Sequence, residues 1–336
     1  MEIYLVTGGA GFIGSNIVET LLGRNCNVRI LDNFSTGKKE NIERIIKRHS
    51  LTLDRDYVFI KGTDKHLPVE RELRLIVIEG DIRDIDACKK AVSGVSYVLH
   101  QGALPSVPRS IADPMTTNVV NINGTLNMLI SSRDAGVRRF VFASSSSVYG
   151  DTPTLPKVET MPTSPLSPYA LSKLTGEIYT TLFHRIYGLS TVSLRYFNVY
   201  GQGQDPTSQY AAVIPKFITA VLAGKGPTIY GDGEQSRDFT YIEDCVEANI
   251  LSCTETGVSG AVMNIACGRR TTLNDLFKKI CDLVEADVKA EYTDARPGDV
   301  KHSLADIRRA MELLRYSPKY TIDEGLKKTI EWFKGK

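Results

Sequence analysis

Short apolar runs alternate with amphipathic stretches through the first half of the chain. Ile3-Tyr4-Leu5-Val6, Val28-Arg29-Ile30-Leu31, Leu75 to Ile78, Tyr97-Val98-Leu99 and Phe140-Val141-Phe142 are β-rich and of strand length. Asn16 to Leu22, Asp86 to Val92 and Thr116 to Ala135 carry helical spacing between several of them. Strands alternating with helices predict βαβ units, and right-handed crossovers then give an α/β fold with a doubly wound parallel sheet. The stretch Gly37 to Arg74 is longer than an ordinary crossover. It opens on a charged helical run, Lys38 to His49, and is expected to be an elaborated surface segment.

After about Gly150 the alternation weakens, and Pro153, Pro156, Pro162, Pro165 and Pro168 mark a loop. Tyr169 to Tyr187 predicts a long helix, and Leu194 and Tyr196 flank Arg195 in a strand. Ala211 to Leu222, Leu273 to Val284 and Ile322 to Phe333 predict further helices, with Thr272 as an N-cap and Asp275 in the first turn behind it. The expected division is a dinucleotide-binding domain over residues 1–187 and a smaller C-terminal α/β region for substrate over residues 188–336. Some segments of the second are expected to return to the first sheet.

The chain has 336 residues, 42% apolar and 24% charged, which suits a folded protein of about two domains and excludes wholesale disorder. Forty-one Lys and Arg against 39 Asp and Glu leave a net charge of +2, so no strong field points to nucleic acid or an anionic membrane. No apolar run is long enough to span a bilayer, and the chain opens on a strand-like run rather than a secretory leader. A cytoplasmic location is therefore expected. Cys26, Cys88, Cys245, Cys253, Cys267 and Cys281 are scattered, with no CxxC and no Cys/His cluster. Reduced thiols and no metal site are the expectation.

The first chemical signal is Thr7-Gly8-Gly9-Ala10-Gly11-Phe12-Ile13-Gly14, which follows a strand and opens a helix. Missing Cβ atoms let the turn tighten and let a pyrophosphate approach backbone N–H groups at a helix N-terminus. This is the setting of a Rossmann-type dinucleotide site. Asp32 ends the second strand, where a carboxylate accepts hydrogen bonds from ribose hydroxyls and repels an extra phosphate, so NAD is favoured over NADP. Asp81 and Ile82 follow the next strand, where an adenine-facing acid would lie; a helix N-cap aspartate is the competing reading. Tyr169 and Lys173 stand at i and i+4, so on a helix they share one face. An ammonium there, with a nearby cationic nicotinamide, favours the phenolate. Moving a tyrosine pKa from about 10 towards 7 takes roughly 4 kcal/mol. Such a tyrosine can take a proton from an alcohol while the same carbon is oxidised. Upstream, Ser144-Ser145-Ser146-Ser147 puts hydroxyls at the carboxyl end of a strand, the edge at which this architecture binds ligands.

These motifs, in this order, resemble the extended short-chain dehydrogenase/reductase family, and within it the UDP-sugar 4-epimerases acting on UDP-glucose or UDP-N-acetylglucosamine. The likeness runs nearly end to end, from Thr7 to the region of Ser303-Leu304-Ala305-Asp306. It implies a catalytic set of Ser145, Tyr169 and Lys173. It implies NAD contacts at Gly8, Gly11, Phe12, Ile13 and Gly14, then at Asp32, Asn33, Ser35, Asp81 and Ile82, and later at Gln101, Ala103, Tyr169 and Lys173. Asn121, in Asn121-Ile122-Asn123-Gly124-Thr125, matches an element that supports the active site and is placed with the cofactor set. For substrate the resemblance implies Ser145 and Tyr169 at the sugar, Asn198, Arg237 and Arg296 at the phosphates, and Asp299 at the uridine ribose. Two arginines suit a diphosphate, since each guanidinium binds as a fork.

Within the family the dehydratases carry Thr-Asp-Glu before Val-Tyr-Gly, where this chain has Ser145-Ser146-Ser147, which argues against dehydration. Ser303 falls where the family sets its gate beside the sugar C2 substituent; a bulky Tyr there admits only a hydroxyl, whereas a serine leaves room for an acetamido group. The resemblance therefore implies interconversion of UDP-GlcNAc and UDP-GalNAc as the favoured pair, with UDP-Glc and UDP-Gal as a second pair and a UDP-glucuronate 4-epimerase or another nucleotide-sugar enzyme of the extended family as the alternative. It also implies a homodimer, with helices near Asn118 to Ala135 and Tyr169 to Tyr187 contributing.

Overall fold

The computed structural model describes residues 2–61, 73–206, 212–294 and 301–335. Eight parallel strands form its central sheet: β1 (Ile3–Thr7), β2 (Asn27–Asp32), β3 (Tyr57–Lys61), β4 (Leu75–Glu79), β5 (Tyr97–His100), β6 (Arg139–Ser145), β7 (Thr191–Tyr196) and β8 (Ala261–Ile265). Their order is β8-β7-β6-β5-β1-β2-β4-β3. In the register, Val6 stands opposite Ile30 on one side and Leu99 on the other. Alternate residues enter two cores. Leu5, Leu31, Val98, Phe140 and Phe142 pack on one face, while Tyr4, Val6, Ile30, Leu99, Val141 and Leu194 pack on the other. Burial on both faces explains why these strands are near-continuous apolar runs.

From β1 the chain builds outward through β2 and β4 on one side, and from β5 through β6 and β7 on the other. The order reverses between β1 and β5, and the crevice beyond their carboxyl ends is where such sheets bind ligands. Two strands of the chain's second half, β7 and β8, complete this sheet.

Two expected segments differ from the observed ones. The stretch after Gly37 is more than a surface elaboration: past the helix Lys39–Arg48 it supplies β3, whose Val58 pairs with Ile76 of β4 at the sheet edge. Its residues 62–72 lie outside the described residues. The helix expected from Thr116 to Ala135 begins earlier, at Pro114, and widens into a π turn over Val119–Asn123 before continuing as Gly124–Asp134. Such turns admit one extra residue and gather at functional sites. Gly124 is required just after it, because a Cβ there would lie 2.7 Å from Ile82 Cδ1.

The long helix Pro168–Tyr187 is well bounded. Ser167 caps it by accepting from the Ala170 N–H, Pro168 occupies its first turn, and Gly188 ends it at φ +72°. Its inner face seats on β6, with Gly176 pressed onto the Phe142 ring so closely that no Cβ fits. Its outer face exposes Leu171, Ile178, Leu182 and Ile186. Ile111 and Met115, on the short helices Val107–Ala112 and Pro114–Asn118, are exposed too. No described helix is long and apolar enough to cross a membrane. Among the described residues no group of three His, Cys, Asp or Glu could hold a metal ion.

Candidate active site

A cleft of about 690 Å³ opens at the reversal of strand order. Gly8, Gly11, Phe12, Ile13 and Gly14 form its floor. Gly8 sits at φ +67°, and a Cβ on it would lie 2.9 Å from the Gly102 nitrogen. A Cβ on Gly14 would overlap the Gly8 carbonyl. The helix Phe12–Gly23 starts at Gly11 with no side-chain cap, so its first N–H groups face the cleft without a competing hydroxyl or carboxylate. That is the cradle a pyrophosphate needs.

Asp32, at the end of β2, lines the wall. Its carboxylate accepts from the Ala10 N–H at 2.9 Å and the Phe34 N–H at 2.8 Å. Burial raises its pKa, and these two bonds pull it partly back. Asn33 and Ser35 follow along the same rim, the Ser35 N–H donating to Asn33 Oδ1 at 3.0 Å. Asp81 and Ile82 close that end. Asp81 is not the N-cap of the next helix; Asp84 is. Instead Asp81 accepts from Asn33 Nδ2 at 2.6 Å and pairs with Arg83 at 2.8 Å. Burial alone would raise its carboxyl, but the Arg83 and Asn33 hydrogen bonds outweigh it and hold the acid below the usual range.

At the other end Ala103, Tyr169 and Lys173 line the cleft, and Ser144 stands beside them at the end of β6. Lys173 is buried and donates to the Ala143 carbonyl at 2.8 Å, with its ammonium 6.0 Å from the centre of the Tyr169 ring. Burial brings the Lys173 ammonium down to about 8. The Tyr169 hydroxyl is raised by burial, and its hydrogen bond with Ser145 works against that rise. The expected fall of Tyr169 towards neutrality is therefore absent from the protein alone, because desolvation of a phenolate outweighs one hydroxyl donor. The Ser145 hydroxyl also accepts from Ser147 Oγ at 2.9 Å, which leaves its own proton for the tyrosine oxygen.

Two residues placed with the cofactor set also brace the protein around the cleft. Asn121, on the π turn, accepts from the Leu104 N–H at 2.7 Å and donates to the Leu104 carbonyl and to Ser172 Oγ. It pins the loop after β5 to the helix that carries Tyr169, while its neighbour Val120 lines the cleft. Gln101 lines the cleft, but its amide donates to Tyr196 Oη at 3.1 Å and Asn249 Oδ1 at 3.0 Å.

Asn198, Arg237 and Ser303 meet in a second cluster and are not among the residues lining this cleft. Asn198 donates to the Asp238 carbonyl at 3.3 Å, Arg237 to the Lys301 carbonyl at 3.1 Å, and the Ser303 N–H to the Ser236 carbonyl at 3.0 Å. Asp238 knots the cluster, its buried carboxylate accepting from the N–H groups of Cys267, Gly268 and Ala305. Burial pushes that acid up to about 6 against those bonds. Arg296 and Asp299 lie outside the described residues.

Two buried networks escaped the sequence reading. Thr7 Oγ1 meets His100 Nδ1 at 2.8 Å, and His100 Nε2 meets Thr125 Oγ1 at 3.0 Å, whose hydroxyl donates to the Asn121 carbonyl at 2.6 Å. These partners assign the Nε2–H tautomer, and burial, with the nearby Lys173 charge, takes His100 down to about 3. A neutral imidazole thus ties the strand below the glycine loop to the π turn. In the other network Arg195 forks onto Glu177 at 2.6 and 2.9 Å, and Ser144 Oγ donates to the same carboxylate at 2.8 Å. Glu177 lies one turn beyond Lys173 on the same helix, and its partner Arg195 stands on β7.

The profile of the NAD dependent epimerase/dehydratase family matches residues 4–266. A putative UDP-glucose 4-epimerase of Methanocaldococcus jannaschii is 38% identical over 332 residues, covering 98% of each chain. Among solved structures, UDP-N-acetylglucosamine 4-epimerase from Methanobrevibacter ruminantium M1, in complex with UDP-N-acetylmuramic acid, is 41% identical over 99% of this chain and 98% of that one, with a TM-score of 0.87. UDP-glucose 4-epimerase from Thermotoga maritima, with UDP-glucose, is 36% identical over 99% of both chains, with a TM-score of 0.87. With a glycine cradle, an acid at the end of β2 and a Tyr-Lys pair at one cleft, the chain belongs to the NAD dependent epimerase/dehydratase family.

Proposed function

We propose that the protein inverts C4 of UDP-hexoses through a transient 4-keto sugar, with UDP-GlcNAc and UDP-GalNAc as the preferred pair and UDP-Glc and UDP-Gal also accepted. The observation that carries this reading is the meeting of Tyr169, Lys173 and the dinucleotide cradle in one cleft, with Ser145 bonded to Tyr169. The family and the UDP-sugar 4-epimerases similar to the chain support the coarser part. Ser303 supports the acetamido preference, since a small residue at the C2 gate admits the larger substituent.

The residues fit NAD. The first turn of helix Phe12–Gly23 would hold its pyrophosphate, Asp32 a ribose, and Lys173 the nicotinamide end. When bound, NAD supplies the acceptor, and then the donor, of the hydrogen at sugar C4. Tyr169 as phenolate takes the proton of the 4-hydroxyl, and Ser145 bridges the two oxygens by its hydrogen bond. Lys173, at about 8, is still mostly charged at neutral pH and favours the phenolate. Asn198, Arg237, Arg296 and Asp299 anchor the UDP while the 4-keto sugar turns to present the other face of C4, and Tyr169 returns its proton to the 4-oxygen as C4 is reduced.

Two copies pair through the outer face of the helix Pro168–Tyr187, where Leu171, Ile178, Leu182 and Ile186 form one exposed stripe. Ile111 and Met115, exposed just before the helix near Asn118 to Ala135, are taken to join that helix in the pairing.

Tyr169→Phe tests the assignment of the base. Turnover of either UDP-hexose is lost while UDP-sugar binding by calorimetry stays within a few-fold of the parent. Retained turnover would overturn the role given to Tyr169.

A further inference from the structure

Arg237 lies on a short strand, Ser236–Arg237, that has a neighbouring segment on each side. On one side Ser236 and Arg237 pair antiparallel with Thr272 and Thr271. On the other, the Ser236 N–H donates to the Lys301 carbonyl at 3.0 Å, and the Ser303 N–H returns to the Ser236 carbonyl at 3.0 Å. Ser236 Oγ meets His302 Nδ1 at 2.9 Å on the same flank. The Arg237 guanidinium leans on that flank too, donating to the Lys301 carbonyl at 3.1 Å. So short a ladder fixes little by itself, since strands ordinarily run to at least about three residues.

Asp238 takes over where the ladder ends. It is fully buried, and its carboxylate reaches both flanks at once. Oδ1 accepts from the Cys267 N–H at 3.0 Å. Oδ2 accepts from the Gly268 N–H at 3.0 Å and from the Ala305 N–H at 3.1 Å. Cys267 and Gly268 lie just before Thr271, and Ala305 lies just after Ser303. The Asp238 main-chain carbonyl meanwhile accepts from Asn198 Nδ2 at 3.3 Å. Backbone N–H groups, rather than a cation, answer its charge. A buried charge is costly to keep, and here only an acid serves, because an amide would turn its NH2 towards one of these N–H donors.

We propose that Asp238 is a positioning residue for the UDP-sugar. It locks the two flanks around the Ser236–Arg237 strand, and so sets the aim of Arg237, the place of Ser303 and the seat of Asn198 without touching substrate itself. This rests on the substrate reading above. Its effect falls on binding of the nucleotide sugar and leaves the proton transfer at Tyr169 alone.

The test compares Asp238→Asn with Arg237→Gln in purified holoenzyme. Loss of an interaction made equally in the bound and transition states raises KM and spares kcat. Each variant should raise KM for UDP-GlcNAc and for UDP-Glc by about ten-fold, the worth of one hydrogen bond to a charged group, with kcat within about two-fold of the parent. Binding of UDP alone, by calorimetry, should weaken to match, and bound NAD should stay at the parent level. For UDP the double variant should bind no more than about three-fold more weakly than Arg237→Gln, because the acid acts through the arginine; additive losses would overturn that route. An unchanged KM in Asp238→Asn beside a raised one in Arg237→Gln overturns the proposal. So does a fall in kcat and bound NAD at constant KM, the mark of a merely unstable protein. An unchanged KM in Arg237→Gln would overturn the substrate reading itself. If Asp238→Asn does not accumulate as folded protein, Ala305→Pro, which takes a single N–H from the acid, is judged by the same criteria.

Discussion

Glu177→Gln isolates the buried support of the active-site strand. Glu177 and Arg195 are 6% and 5% exposed at their side chains, and the carboxylate also receives Ser144 Oγ. The substitution keeps the shape but removes the charge, leaving the Arg195 guanidinium buried and uncompensated. Breaking such a pair costs about 3 to 5 kcal/mol. Unfolding entropy of about 2.1 cal/mol/K per residue gives roughly 0.7 kcal/mol per kelvin for 336 residues, so the midpoint should fall by about 4 to 7 °C. The assay is thermal unfolding followed by circular dichroism at low and high KCl, with chemical denaturation alongside. The loss should be insensitive to salt, because a desolvated pair is poorly screened. Replacing both partners, Glu177→Leu with Arg195→Met, should recover most of the loss, since apolar substitution of a whole buried pair is often neutral. A single-variant loss under about 1 kcal/mol, or one that shrinks in high salt, would refute the reasoning.

The remaining predictions concern specificity, cofactor and assembly. Ser303→Tyr should lower kcat/KM for UDP-GlcNAc by at least about ten-fold and change UDP-Glc by less than about three-fold; equal losses would show that Ser303 is not the gate. Gly14→Ala should yield a folded protein with little bound NAD, read by absorbance after denaturation, because its Cβ collides with the Gly8 carbonyl; a normal cofactor content would contradict the cradle. If the proposed pairing holds, the parent should run as a dimer in light scattering and Ile178→Glu as a monomer, since it places a charge in the exposed stripe; a monomeric parent would refute the pairing, and a dimeric variant would refute this interface.

Legibility followed sequence distance. Gly8, Gly11 and Gly14 betray their role within one turn, and Tyr169 and Lys173 within one helical spacing, because the chemistry is local to the backbone geometry. Asp32 was legible because an apolar run ends on it. The strand Tyr57–Lys61 was lost inside a long polar segment, although Asp54, Asp56 and Gly62 bound its four apolar residues with turn signals. The π turn at Asn121 has no local pattern, since it is imposed by packing Gly124 on Ile82 and by the bonds Asn121 makes to Leu104. Arg195 looked like a polar interruption in an apolar strand until β7 brought it against Glu177. His100 ended a strand without a partner in view; Thr7 and Thr125 reach it only once β1, β5 and the following helix are assembled. Nor could the sequence weigh burial against charge at Tyr169, because desolvation depends on the finished pocket.

The central claim is C4 inversion with a retained cofactor and an open C2 gate. Proton NMR of the products tests it most directly. The purified protein is incubated separately with UDP-GlcNAc and with UDP-Glc, and no NAD is added. The account predicts inversion of both at C4, faster for the acetamido sugar. Inversion of UDP-Glc alone would keep the mechanism and reject the role of Ser303. No inversion of either sugar, even with NAD supplied, would contradict the account and turn attention to UDP-glucuronate.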